Sequence, residues 1–348
     1  MEELKIVFLT QDIKITAGGG RFSSDLINGI RKRGHCVNVL IGFSIIKFFK
    51  NIKFFKDCDI IHAIDGYPYG IIAAIINIFV RKKLIITVIG TYSVAPLYNK
   101  KISCIMLWAY KKADKIVAIS EHTRKEILKA TISNNWLNKI SVINPGIDFQ
   151  KYYKQHQDDK EEFILSVGGL KIRKGYHISI PAFALAKKKH PNLKYKIVGQ
   201  RYESDYYYNK LIELIRQYEI EDSVEFLSGI SDDQLYDLYK KAEIFILTSI
   251  NDQYHFEGFG LVFLEAACCG LPVIGTLGNG IEDAISSNGI LVDQGNIVQT
   301  SKAILNILND KKMWNIMSAN SYDWAKKHDL DMVIDNYLSV YKYFDKKT

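Results

Sequence analysis

Five cysteines, an odd number with no C-x-x-C pair among them, make a poor disulfide framework and a poor cysteine zinc site for a chain of 348 residues. Cys36, Cys58, Cys104, Cys268 and Cys269 fit a reducing compartment instead. The start, "MEELKIVFLTQ", is acidic and then strand-like, without the profile of a signal peptide. The longest apolar run, Gly66 to Val80, falls short of the roughly 20 residues that span a bilayer as a helix. Together these features lead to the expectation of a cytoplasmic protein. Three common ligand signatures are also missing. "TAGGGRFSSD" has Ser23 where G-x-G-x-x-G needs its last glycine, and "VGGLKIRKG" fits neither that fingerprint nor the P-loop. No H-E-x-x-H or metal-spaced His/Cys cluster is visible, so dehydrogenase, P-loop and zinc readings are weak and no metal site is expected.

What is present is ordinary globular material, 48% hydrophobic and 24% charged, long enough for two domains. The net charge of +8 is uneven: residues 1–150 hold 22 Lys/Arg against 11 Asp/Glu, residues 151–348 hold 24 against 27. A basic half of this kind suits an anionic partner, though a solvated basic face is the plainer reading.

Strand and helix signals alternate. "LKIVFLT", "CVNVLIG", "DIIHAID", "LIITVIG" and "DKIVAIS" read as strands in the first half. "EFILSVGG", "KYKIVGQ", "SVEFLSG", "AEIFILTS", "LPVIGT" and "GILVD" do so in the second. Continuous apolar strands separated by helical patterns imply parallel sheets covered on both faces. The expected fold is therefore α/β, two Rossmann-like domains facing across a cleft. The expected boundaries are 1–150 and 151–325, with a linker near Asn144 to Glu161. The tail from Ser321 to Phe344 reads as one amphipathic helix, and residues 326–348 are expected to pack back on the first domain.

One stretch carries the chemistry. "HFEGFGLVFLEAACCGLPVIG" (His255 to Gly275) is apolar and glycine-rich, yet places Glu257 and Glu265 eight residues apart. Buried carboxylates are costly unless something binds them. Glu257 would precede a helix ending at Gly270, and Glu265 would sit on its early turns. A helix start offers free N–H groups suited to a diphosphate, and Gly258 and Gly260 would let the backbone approach it. A nucleotide diphosphate sugar would satisfy both carboxylates through its hydroxyls.

The pattern resembles the retaining GT-B glycosyltransferases of the glycogen-synthase-like, sucrose-synthase and mannosyltransferase group, family four, group 1. The similarity spans nearly the whole chain, through "GGGRFSSDLINGIRKRGHCVNVL", "ADKIVAISEHTRKEI", "INPGID", "ILSVGGLKIRKG" and "GNGIEDAI" as well as the Glu-x7-Glu stretch. The resemblance implies that Glu265 holds the donor ribose and Glu257 the transferred sugar. Arg173 and Lys174 would neutralise the leaving diphosphate, with backbone N–H groups around Phe259, Gly260 and Leu261 completing the cradle. Gly18, Gly19 and Gly20, on an acceptor-side glycine loop of the first domain, would border the acceptor and the phosphates. The donor would be UDP- or GDP-linked and the acceptor a glycan or glycolipid; transfer would keep the anomeric configuration without a metal or other cofactor. No nucleic acid partner is implied.

Two positions depart from the family pattern. Val167-Gly168-Gly169 lacks the arginine of "VGR", leaving the phosphate to Arg173 and Lys174. Ile89 in "TVIGT" replaces the histidine of Thr-x-His-Gly, a place that His62 or His255 would have to fill. These departures motivate a competing reading, a non-catalytic or partner-dependent nucleotide-sugar-binding protein of the same fold. A nucleotide-sugar epimerase is disfavoured by the EGFG-centred motif. Finally, Ser44 to Cys58 reads as a basic amphipathic helix, with Ile45, Phe48, Phe49, Ile52 and Phe55 on one face and Lys47, Lys50 and Lys53 opposite. The basic first half tips that segment towards peripheral contact with the inner face of the membrane.

Overall fold

The computed structural model describes residues 3–14, 18–42, 50–131, 138–153, 160–201 and 205–342. The chain divides into two compact units, Met1–Gly146 with Leu330–Thr348, and Ile147–Asp329.

The first unit is built on a parallel sheet of β1 (Lys5–Thr10), β2 (Cys36–Ile41), β3 (Ile60–Ile64), β4 (Lys83–Val88), β5 (Lys115–Ala118) and β6 (Ile140–Val142), in the order β2-β1-β3-β4-β5-β6. The interior strands are buried along nearly their whole length, as a sheet covered on both faces requires. The chain goes from β1 to one side and returns to place β3 on the other, so β1 and β3 flank the point where strand order reverses. The second unit repeats the design with β7 (Phe163–Val167), β8 (Lys194–Val198), β9 (Val224–Leu227), β10 (Ile244–Ile246), β11 (Val273–Thr276) and β12 (Gly289–Val292), in the order β12-β11-β10-β7-β8-β9. Its reversal lies between β7 and β10, which pair in parallel through Ile244–Ile164 and Phe245–Leu165. In open parallel sheets, ligands bind beyond the carboxyl ends of the strands at such a reversal.

The fold is the α/β, two-domain, parallel-sheet architecture expected from sequence, with three local differences. β6 is a strand of only three residues that gives no apolar run to read. Gly18, Gly19 and Gly20 form the first turn of the helix Gly18–Lys32 rather than a loop, tied to the end of β1 through Thr10 Oγ1 and Ser23 Oγ, 3.0 Å apart. The tail is two helices, Lys311–Lys327 and Leu330–Lys342, not one. At the break, Ile147 N–H donates to the His328 carbonyl at 2.9 Å and Ile147 pairs with Asp329, where the chain enters and leaves the second unit.

The helix Leu330–Lys342 packs against Gly18–Lys32 inside the first unit. Its Tyr341 hydroxyl meets His62 Nδ1 at 2.7 Å, and Thr87 Oγ1 lies 2.8 Å from His62 Nε2. Both ring nitrogens are thus engaged in the core, and burial pushes the imidazole down to about 3. His62 is a neutral core residue and cannot replace a histidine at position 89. His255 is exposed and pairs with Asp252 through its backbone. Of the Ser44–Cys58 segment, residues 43–49 lie outside the described residues, as do 154–159 of the linker; Ile52–Asp57 is a short helix burying Phe55.

Gly29 is where the last helix seats: a β-carbon there would stand 2.4 Å from Ile334 Cγ1. Gly29→Leu is expected to lose about 1–3 kcal/mol in chemical denaturation. Ile334→Ala should recover part of that loss in the double variant. Independent, additive effects would contradict this seating.

Candidate functional site

The candidate site lies in the second unit, where two loops leave the carboxyl ends of β7 and β10. The chain after β7 passes through Gly168 and Gly169 to a short turn, Ile172–Lys174, and enters the helix Tyr176–Lys187 at Gly175. Gly175 has φ +71°, and a β-carbon there would lie 1.8 Å from the Thr248 carbonyl oxygen, so only glycine fits. Thr248 Oγ1 in turn donates to the Gly175 carbonyl at 2.8 Å, and Ile250 N–H donates to the Arg173 carbonyl at 2.9 Å. The two loops are laced together by their backbones, which fixes where Arg173 and Lys174 can reach.

They reach Glu257. Its Oε2 accepts from Arg173 Nη1 at 2.6 Å, Lys174 Nζ at 2.7 Å and Ser249 Oγ at 3.4 Å. Its Oε1 accepts no hydrogen bond among the described residues. The Glu257 backbone is fixed too, its carbonyl accepting from Gly280 N–H at 2.8 Å. The Glu257 and Lys174 side chains are only 12% and 14% exposed, and Arg173 25%. Burial alone would raise the Glu257 carboxyl, but Lys174 and Arg173 outweigh it and hold it down at about 2. Burial lowers the Lys174 ammonium, with Arg173 pushing the same way and Glu257 opposing. The cluster holds two cations and one carboxylate, an excess of positive charge in a water-poor place. Such an excess attracts anions.

The other expected residues take varied positions. Gly258, Phe259, Gly260 and Leu261 lead into the helix Leu261–Cys268, whose first turn has N–H groups without intrahelical acceptors. Phe259 is buried, its ring 6.2 Å from that of His328. Glu265 lies in that helix, 3% exposed, and accepts from the Tyr239 hydroxyl at 2.9 Å. Cys268 and Cys269 are buried packing residues. Gly18 to Gly20 stand in the first unit beyond β1, and a β-carbon on Gly19 would lie 3.5 Å from Ile89 Cδ1. The histidine that the family pattern has at position 89 would thus adjoin the glycine turn, where this chain offers a hydrocarbon. Sequence reasoning missed Ser249, Thr248 and Tyr239. The first two carry a weak signal, polar residues directly after an apolar strand.

Two parallel Rossmann-like sheets, with a cation–carboxylate cluster at the strand reversal of the second, define a two-domain α/β class of protein. A family model, Glycosyl transferases group 1, matches residues 148–324, just over half of the chain, and a second, Glycosyltransferase Family 4, matches 40–151. The chain belongs to the glycosyl transferases group 1 family, and it is a glycosyltransferase of the GT-B fold. It is 28% identical over 375 residues to an uncharacterized glycosyltransferase of Haemophilus influenzae, covering 97% of this chain and 99% of that one. It is 24% identical over 262 residues to a glycogen synthase of Mycobacterium tuberculosis, covering 72% and 60%. Among solved structures, Anabaena Alr3699/HepE in complex with UDP matches with a TM-score of 0.83 at 19% identity, covering 98% of this chain and 100% of that one. At that identity the likeness establishes the fold.

Glu257→Gln is expected to destabilise the protein at neutral pH by about 3 kcal/mol, because two largely buried cations lose their carboxylate. The folded carboxyl titrates at about 2 against an ordinary 4.5, so its contribution is complete above pH 4.5 and lost as pH falls towards 2. Denaturation curves of both proteins across that window should therefore converge on acidification. A constant difference would contradict the pairing.

Proposed function

We propose that the enzyme transfers a sugar from a UDP- or GDP-linked donor to a glycan or glycolipid acceptor, with retention of configuration and without a bound metal. The observation that carries this reading is the split of the Glu257 carboxylate. One oxygen is taken by Arg173 and Lys174, while the other is left for a ligand hydroxyl. A donor diphosphate set against the two cations would bring its sugar to that second oxygen. The first turn of Leu261–Cys268 would add N–H donors to the phosphates, and Glu265 would share its Tyr239 hydrogen bond with a ribose hydroxyl.

In the reaction, the bond from the anomeric carbon to the donor phosphate oxygen breaks and a bond from that carbon to the acceptor oxygen forms. The acceptor's hydroxyl proton passes to the departing phosphate, so no protein nucleophile is required. Arg173 and Lys174 stabilise the charge that grows on the diphosphate as it leaves, the step at which electrostatic help counts most. Gly18 to Gly20, in the first unit, border the acceptor. The UDP held by the Anabaena protein supports a nucleoside diphosphate as the ligand class. The basic first unit suits an anionic or lipid-linked acceptor at the inner face of a membrane.

Incubation with a panel of UDP- and GDP-sugars, without acceptor, should give slow nucleotide release from one donor. Lys174→Ala and Glu257→Ala should abolish it. Absence of both release and calorimetric binding across the panel would favour the non-catalytic reading, which Ile89 beside Gly19 and the missing arginine at Gly169 motivate.

A further inference from the structure

The helix Ile71–Val80, "IIAAIINIFV", has one polar side chain, Asn77. Its inner face buries Ile71, Ala73, Ala74 and Ile76 against the first sheet. Its outer face is equally apolar and bare: Ile75 is 40% exposed, Ile78 52% and Phe79 73%. A helix on a globular surface ordinarily turns polar residues outward, and one that is apolar all round is ordinarily covered. Phe79 is the most exposed of the large apolar side chains among the described residues.

The surroundings of this stripe have a definite chemistry. The strands β3, β4 and β5 lie in spatial order, so right-handed crossovers place Ile71–Val80 and the helix Ser103–Lys112 on one face of the sheet, where the two pack together. The second helix adds Ile105, 40% exposed. Both helices end at the amino edge of the sheet, and both end in cations, Arg81 and Lys82 on one, Lys111 and Lys112 on the other. Among the described residues none of these four is paired with a carboxylate.

We infer that this outer face docks on an anionic lipid bilayer, with Ile78 and Phe79 entering the acyl boundary and the four cations meeting lipid head groups. Apolar insertion beside clustered lysine and arginine is the combination that holds a protein on such a surface. A second copy of the chain is the weaker occupant, because a self-complementary contact would bring like cations together. The inference rests on the part of the proposed function that sends the basic first unit to an anionic surface, and not on the transfer chemistry. It also moves the contact from the Ser44–Cys58 segment to the helix Ile71–Val80.

Co-sedimentation of the full chain with phosphatidylcholine vesicles, with and without phosphatidylglycerol, tests it. Wild type should bind only the anionic vesicles and release as salt screens the charges. The double variant Ile78→Ser/Phe79→Ser should bind about tenfold more weakly or worse, with an unchanged thermal midpoint, since both side chains are exposed. Lys50→Glu/Lys53→Glu should bind nearly as wild type does. The inference is overturned if wild type ignores anionic vesicles or if the serine variant binds undiminished. It is equally overturned if sedimentation shows a dimer that the serine variant dissociates. Donor hydrolysis is read separately, so an inactive enzyme that still binds vesicles would sink the transfer chemistry alone.

Discussion

A carboxylate gripped by a lysine and an arginine, in a place largely closed to water, is the contact around which the second unit is arranged. Each of the three groups loses hydration by being there, and their mutual attraction must offset that loss. The numbers of charges do not match: one oxygen of Glu257 takes both cations, and positive charge is left over. A diphosphate, the ligand class proposed for the site, would supply the balancing negative charge. The carboxylate's other oxygen accepts no hydrogen bond among the described residues, and in the proposed complex it would meet a hydroxyl of the nucleotide sugar. The three side chains that meet in the folded second unit are also those on which the proposed ligand binding would draw.

The geometry depends on backbone more than on side chains. Arg173 and Lys174 sit on a turn whose carbonyls are bonded to the loop beyond β10, and Glu257 sits on a loop bonded to the one beyond β11. Gly175 permits the closest of these approaches. The sheet order makes the convergence possible, because β7 and β10 are neighbours in space though far apart in the chain. In the first unit the same logic brings the glycine turn after β1 beside Ile89 after β4. The ring of His62 is meanwhile locked into the core by Tyr341 and Thr87 and has no role to play at a surface.

Much of this was legible in the sequence, for identifiable reasons. The long apolar strands announced two buried parallel sheets because a strand covered on both faces has no polar alternation to blur it. β6 escaped because three residues make no pattern. The break at His328 escaped because the helical spacing runs on through it. What ends the helix is a tertiary event, the pairing of Ile147 with Asp329 as the chain changes units. Three glycines beginning a helix run against glycine's poor helix propensity, so a loop was the natural reading. At the site, Glu257 stands out by its apolar, glycine-rich surroundings, whereas Arg173 and Lys174 stand out only through resemblance to a family. Their direct contact, across more than eighty positions of chain, was not readable from spacing, and neither was the share that Ser249 and Tyr239 take in holding the two glutamates.

The central claim is that Arg173 and Lys174 form the clamp for a donor diphosphate, and the affinity for UDP and GDP measures it most directly. Calorimetric titration of both nucleotides into wild type and Lys174→Met should show one of them binding wild type. That affinity should fall by about 2 kcal/mol, roughly thirtyfold, when one charge-assisted contact is removed. Unchanged affinity in the variant, or no binding of either nucleotide to wild type, would contradict the account.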